Sequence, residues 1–196
     1  MGDELIYNPK HQSWHSILSC IWAEHQIQLP GKYSIATDYK ELMSFFVKVL
    51  QVAKPNLKMH VLALIEKTSE NPNKRDIIQE MLNICAFDLT PQALEDLSEC
   101  KCLPVKRSSG ELRWQNKSGA FAIIDRREYS EIFAGKVNFL DFSLEEVHSL
   151  NSLLVGLGLE GRYTSKAVRE ITTVQGGSLN QRLTTDLRKK AYAICR

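Results

Sequence analysis

The chain has 196 residues, 43% of them hydrophobic and 24% charged, with 10 glycines and 6 prolines. That is the usage of a soluble globular protein, and it excludes collagen, a disulfide miniprotein and a wholly disordered chain. Net charge is +2; no apolar run approaches the roughly 18 residues of a membrane span, and Met1-Gly2-Asp3-Glu4 lacks the basic, apolar character of a secretory leader.

The charge is unevenly spread. Residues 1–102 hold 10 basic and 13 acidic side chains, and residues 103–196 hold 15 and 10. A nucleic-acid module carries a denser basic stripe with aromatics interleaved, so this excess reads as solvated helix faces and no nucleic-acid partner is expected. The five cysteines are an odd number without a leader, which predicts reduced thiols in a cytoplasmic protein. Cys100-Lys101-Cys102 is tighter than the usual zinc spacing and has no further ligands at matching distance, so no metal is expected there.

In chain order, Asn8-Pro9 reads as a cap with proline at the first helical position. Trp14, Ile17, Leu18, Ile21 and Trp22 then recur as one apolar helical face, ended by Pro30-Gly31. Asp38 and Glu41 suggest a capping box ahead of Leu42, Phe45, Phe46, Val49 and Leu50. Pro55 opens a third predicted helix with Leu57, Val61, Leu64 and Ile65 on one side. A fourth carries Ile77, Ile78, Met81, Leu82 and Cys85, and Thr90-Pro91 starts a fifth.

The period then changes from 3.6 to 2. Leu103–Lys106, the turn at Ser108-Ser109-Gly110, and Glu111–Trp114 predict a β-hairpin, with further strands at Phe121–Ile124 and Val137–Leu140 and a short helix from Tyr129 to Phe133. Ser143 and Glu146 form a second capping box, and Gly158 is the expected stop of that helical stretch. Thr164 begins a short helix, and a last one follows Gly176-Gly177 through Leu183, Leu187, Ala191 and Ile194. The expected class is mainly α within α+β: one compact domain, or two lobes (1–101 helical; 102–196 hairpin plus helices), with a small antiparallel insert around residues 102–140.

Phosphate-cradling glycine loops, a G-x-S-x-G elbow and an H-E-x-x-H helix are all missing from the sequence, so neither a nucleotide nor another cofactor is expected. His11 and His15 stand at i, i+4 without further ligands; His25 and His148 receive no role. His60 lies beside Val61 near an apolar face, where a satisfied, half-buried imidazole or a general base would sit. Arg126, in Asp125-Arg126-Arg127-Glu128 after an apolar strand, is the candidate anchor for a carbonyl or carboxylate. Trp14, Trp22, Phe45 and Phe46 are candidate walls of an apolar pocket.

Several stretches carry a resemblance over about four-fifths of the chain. They are Val52-Ala53-Lys54-Pro55-Asn56-Leu57, Cys102-Leu103-Pro104-Val105-Lys106, the run from Phe121 through Tyr129, Leu140 through Val147, Leu157 through Glu160 with Arg162-Tyr163, and Leu187 through Arg196. In these the chain resembles a segment of very large fungal proteins similar to plant NO VEIN and to sacsin. There the segment follows an ATPase domain of the histidine-kinase and heat-shock type. The present sequence is expected to leave no room for that ATPase, so the resemblance implies no ATP hydrolysis, and it supplies no catalytic residue because the family defines none in this segment.

Two functions follow as expectations. The first is a cofactor-free enzyme of fungal secondary metabolism, a cyclase or isomerase of pericyclic type that folds an apolar polyene or terpenoid. Arg126 and His60 would be its polar groups, and Trp14, Trp22, Phe45 and Phe46 its walls. Confinement of this kind needs no paired acid and base. The second is a non-enzymatic interaction module with a groove for an amphipathic segment. A closed apolar cavity favours the first, and a filled core with a surface groove favours the second.

Overall fold

The computed structural model describes residues 4–10, 12–23, 29–70, 72–133 and 135–168. The fold is α+β, helix-rich, with small sheets. His11, His25 and the last expected helix lie outside the described residues.

The N-terminal part corrects the first expected helix. Strand β1 (Glu4–Asn8) pairs antiparallel with β2 (Ser13–Ser16), with Tyr7 opposite Trp14 and Ile6 opposite His15. The reason is local. A residue before proline is biased to extended backbone, and the Asn8 carboxamide accepts from the Lys10 amide at 3.0 Å, forming a turn rather than a cap. Gln12 then takes a φ of 48°, which no helix accommodates. Ser16 accepts from the Ser19 amide and closes a single 3-10 turn, Ile17–Ser19, leaving Leu18 79% exposed. The apolar spacing that imitates a helix is therefore shared between a strand, a turn and β3 (Cys20–Ile21).

Strand β3 lies parallel to β4 (Tyr33–Ser34), and Ile21 also bridges Ala53. The expected helix after Asp38 shrinks to a 3-10 turn at Lys40–Leu42 and a π-helical turn at Phe45–Val49, ended by Gln51 at a φ of 56°. Asp38 makes no cap; its carboxylate lies 3.6 Å from Lys10 Nζ.

The remaining helices follow their sequence signals closely. Asn56 accepts from the Met59 amide at the start of α1 (Leu57–Glu70). Asn73 caps α2 (Lys74–Cys85), and Thr90 with Pro91 starts α3 (Pro91–Glu99). Strands β5 (Leu103–Lys106) and β6 (Leu112–Gln115) form the hairpin, turning at Gly110 with a φ of 88°. Helix α4 (Arg127–Phe133) follows, and β7 (Phe139–Leu140) pairs antiparallel on the other side of β5. Residues 121–124 do not form the expected full strand; Ala122 and Ile123 make isolated pairings with Phe139 and Tyr163.

Ser143 and Glu146 make the reciprocal capping box of α5 (Leu144–Ser149), and α6 (Asn151–Gly156) continues it after a break at Leu150. Gly158, with a φ of 76°, ends the run. The last described helix, α7 (Thr164–Ala167), is one turn long. No helix among the described residues is long and apolar enough to cross a membrane.

Three apolar clusters hold these elements. The largest joins the faces of α1, α2, α3, α5 and α6 to β5 through Leu64, Ile77, Met81, Leu103 and Leu154. A second, around Trp22, Ile35 and Phe46, fills the N-terminal part. The third is the junction between them, where Ile21, Ala23 and Leu29 pack on Met59 and Ala63 of α1.

Candidate functional site

The aromatic residues expected to wall a pocket separate into two groups. Trp22 and Phe46 are buried and stacked, with ring centroids 6.0 Å apart. Phe45 meets Phe46 edge-on at 5.5 Å while remaining 47% exposed. Trp14 stands apart from this core, 54% exposed with its ring against Tyr7 across the β1–β2 pair. A helix would have put Trp14 and Trp22 on one face; the strand and turn do not.

Beside Trp22 lies an open cleft of about 380 Å³, lined also by Ala36, Thr37, Lys40 and Met43. Of the six residues expected at the site, Trp22 alone lines it. Its indole N–H is buried without a hydrogen-bond partner, an arrangement that costs about 1–3 kcal/mol when nothing satisfies it.

His60 is satisfied, and more deeply buried than expected. Its Nδ1 lies 2.5 Å from Glu80 Oε1, and each side chain is only 2% exposed. Lys67 donates to the other Glu80 oxygen. Burial alone would raise the Glu80 carboxyl, but the hydrogen bonds from His60 and Lys67 outweigh it and hold the group below its ordinary value. His60 thus ties α1 to α2, with the Phe87 ring 5.5 Å from its own.

Arg126 is exposed, at the turn that leads into α4. Its neighbour Asp125 does the structural work. The Asp125 carboxylate accepts from the Thr164 hydroxyl at 2.7 Å, from the Ser165 amide at 3.0 Å and from the Ser165 hydroxyl. Burial opposes ionisation here too, yet these donors keep the carboxyl low. Asp125 is in effect a cap for α7 supplied from 39 residues away. Beside this clasp the 121–129 stretch meets Arg162-Tyr163, singled out above: Ile123 pairs with Tyr163, and Arg162 lies over the Phe121 ring at 4.5 Å.

A feature that sequence reasoning did not find lies between α1 and α3. It is a half-open groove of about 460 Å³. Leu57, Val61 and Ala93 form its floor, Leu62 rises at its edge 55% exposed, and Lys58 and Asp96 give it a charged rim of both signs. The available signal was Leu62, a leucine off the buried stripe of its helix. Among the described residues no three His, Cys, Asp or Glu side chains gather as a metal site.

The fold is thus helix-rich α+β, and its surface depressions include the α1–α3 groove and the Trp22 cleft. Residues 58–168 match the family described as a domain of unknown function, DUF8348, and the chain belongs to that family. No curated protein and no solved structure matches it. The His60–Glu80 pair and the α1–α3 groove, apart from its Asn56 and Leu57, fall within the family match, whereas the Trp22 cleft precedes it.

Proposed function

We propose that this chain is a protein-interaction module whose α1–α3 groove receives an amphipathic helix. The observation that carries the reading is Leu62, an exposed leucine edging an apolar floor of Leu57, Val61 and Ala93. A helix lying along such a floor would bury one or two aliphatic side chains there and meet Lys58 and Asp96 with its flanks. Of the residues expected at a reactive site, His60 is paired with Glu80, Trp14 lies against Tyr7 at the outer strand pair, and Arg126 is exposed at the turn before α4. The reading also suits a segment that follows an ATPase domain in a large NO VEIN- or sacsin-like protein, where a groove without reacting groups would hold a neighbouring part of the assembly.

The test is a benzophenone amino acid placed at position 62 and, separately, at exposed Leu144 of α5, 39% exposed, followed by irradiation in the native host. A discrete protein adduct at position 62 and not at 144 is expected. Equal adducts at both positions, or none at 62, would overturn the proposal.

One observation favours a second reading, a small-molecule pocket. Trp22 and Lys40 both line the cleft, and the buried Trp22 indole N–H has no hydrogen-bond partner. A ligand carbonyl or carboxylate that reached it would satisfy a donor the fold leaves orphaned. The reaction such a pocket suits is cofactor-free cyclisation or isomerisation of an unsaturated carbonyl compound, with the N–H polarising the carbonyl. Parinaric acid, a fluorescent polyene carboxylic acid, is the probe. Binding that is lost in Trp22→Phe and kept in Leu62→Glu supports this reading; binding unaffected by Trp22→Phe removes it.

A further inference from the structure

The mixed chemistry of α3's end is used by neither proposal. Helix α3 stops at Cys100, whose backbone turns extended with φ −70° and ψ 130°. In an extended segment side chains two apart fall on the same face, and here Cys100 and Cys102 both enter the main apolar cluster while Lys101 between them stays exposed. The two thiols are close enough for each to shift the other's ionisation. Thr68 of α1 adds a third polar atom, its Oγ1 lying 3.3 Å from Cys100 Sγ. Cys100 is 8% exposed and Cys102 1%, so one sulfur lies near the surface and its neighbour behind it.

We propose that Cys100 and Cys102 are a peroxide-sensitive dithiol, in which Cys100 is oxidised first and Cys102 closes the disulfide. The geometry provides each part. Cα atoms two residues apart along a trans chain lie no more than about 7 Å from each other, so the pair is within, or at the upper end of, what a disulfide spans. A bridge formed there is of the strained, reducible kind rather than a permanent staple. The Thr68 hydroxyl also reaches the Ile65 carbonyl at 2.8 Å, and turning its proton to Sγ stabilises a thiolate at Cys100.

The electrostatics agree with these roles. The Cys102 thiol beside it outweighs burial and, with help from Thr68, lowers the Cys100 thiol to about 7. The same proximity and deep burial push Cys102 well up. The acidic thiol is therefore the outer one, as a first nucleophile requires.

The reaction balances with a hydroperoxide as oxidant. The Cys100 thiolate attacks the peroxide oxygen; an S–O bond forms, the O–O bond breaks, and the departing hydroxide takes the proton released by Cys100 to leave as water. Cys102 then attacks the Cys100 sulfenic sulfur. The S–S bond forms, the S–O bond breaks, and the second hydroxide takes the Cys102 proton. Two thiols lose two electrons and two protons, and hydrogen peroxide becomes two waters.

Lys101 makes the product easy to read, because trypsin cuts between the two cysteines and leaves peptides 76–101 and 102–106. The folded, reduced protein is treated with hydrogen peroxide at low excess, alkylated and digested without reductant. The expected result is peptide 102–106 joined to 76–101, freed by dithiothreitol and still joined in Cys85→Ser. Cys102→Ser should instead leave a sulfenic acid at Cys100 that dimedone traps, and Cys100→Ser should leave Cys102 alkylated as a free thiol. Loss of the link in Cys85→Ser would overturn the proposal, because Cys85 shares the first peptide. Oxidation of Cys20 or Cys85 while Cys100 and Cys102 remain free thiols would overturn it too.

Discussion

His60 of α1 and Glu80 of α2 meet at 2.5 Å with 2% of either side chain exposed, so the first two helices of the family domain are joined by a buried polar contact. Lys67, 27% exposed, carries that contact outward toward solvent. Such an arrangement is stable only while every member is paired.

Removing one member is accordingly costly. Glu80→Leu leaves Lys67 and His60 without their acceptor, and the expected loss is about 3–5 kcal/mol in denaturant unfolding. Lys67→Met, which keeps the His60–Glu80 contact and removes a partly exposed charge, should cost clearly less. Equal losses for both variants would mean that packing, not the ion pair, sets the stability.

The same group gives a pH dependence with a definite sign. Glu80 titrates lower in the folded protein than in the unfolded chain. Its contribution is therefore fully present above the unfolded carboxyl range and disappears as pH falls through the lower, folded value. Unfolding midpoints measured from neutral pH down to acid should fall more steeply in the wild type than in Glu80→Leu. Parallel curves would contradict the assignment.

Asp125 should act on the described C-terminal turn alone. Asp125→Ala removes the acceptor of the Thr164 hydroxyl and of both Ser165 donors, a loss of about 1.5–3 kcal/mol for hydrogen bonds to a charged group. Limited proteolysis should then cut between Glu160 and Val168 well before the helical core is attacked. Arg126→Ala, beside it and exposed, should leave the proteolytic pattern unchanged.

Trp22 separates packing from its orphaned donor. Trp22→Ala opens the second cluster beneath Phe46 and should cost about 3–5 kcal/mol. Trp22→Phe keeps an aromatic ring while removing a buried N–H that has no partner, so thermal unfolding should shift by less than half as much. If Trp22→Phe is as damaging as the alanine variant, the indole shape itself is required.

The parts of this fold that were legible in the sequence are those where local chemistry decides. Thr90-Pro91, the Ser143–Glu146 box and Gly158 act within a few residues, and each does what its type predicts. The 9–22 stretch misleads because Trp14, Ile17 and Ile21 satisfy helical spacing while Asn8, Gln12 and Ser16 write turns between them. Periodicity sees only the apolar residues. Partnerships such as His60 with Glu80, or Asp125 with Thr164, join positions 20 and 39 apart and exist only once helices are packed. The α1–α3 groove belongs to neither helix alone, and its one local trace is Leu62, a leucine off the buried stripe of α1.

The pairing of Ile21 with both Ser34 and Ala53 bears on how the molecule can be divided. The family match begins at Lys58, inside the first turn of α1. A polypeptide started there would lack Asn56, whose carboxamide holds the Met59 amide. It would also bare Ala63, which has no exposed surface while Ile21, Ala23 and Leu29 cover it. The recognisable sequence unit is therefore smaller than the folding unit, and the N-terminal strands serve as a lid sealing one side of α1. A piece cut at the family edge is expected to self-associate through that uncovered side, whereas one that begins at the first strand keeps it sealed.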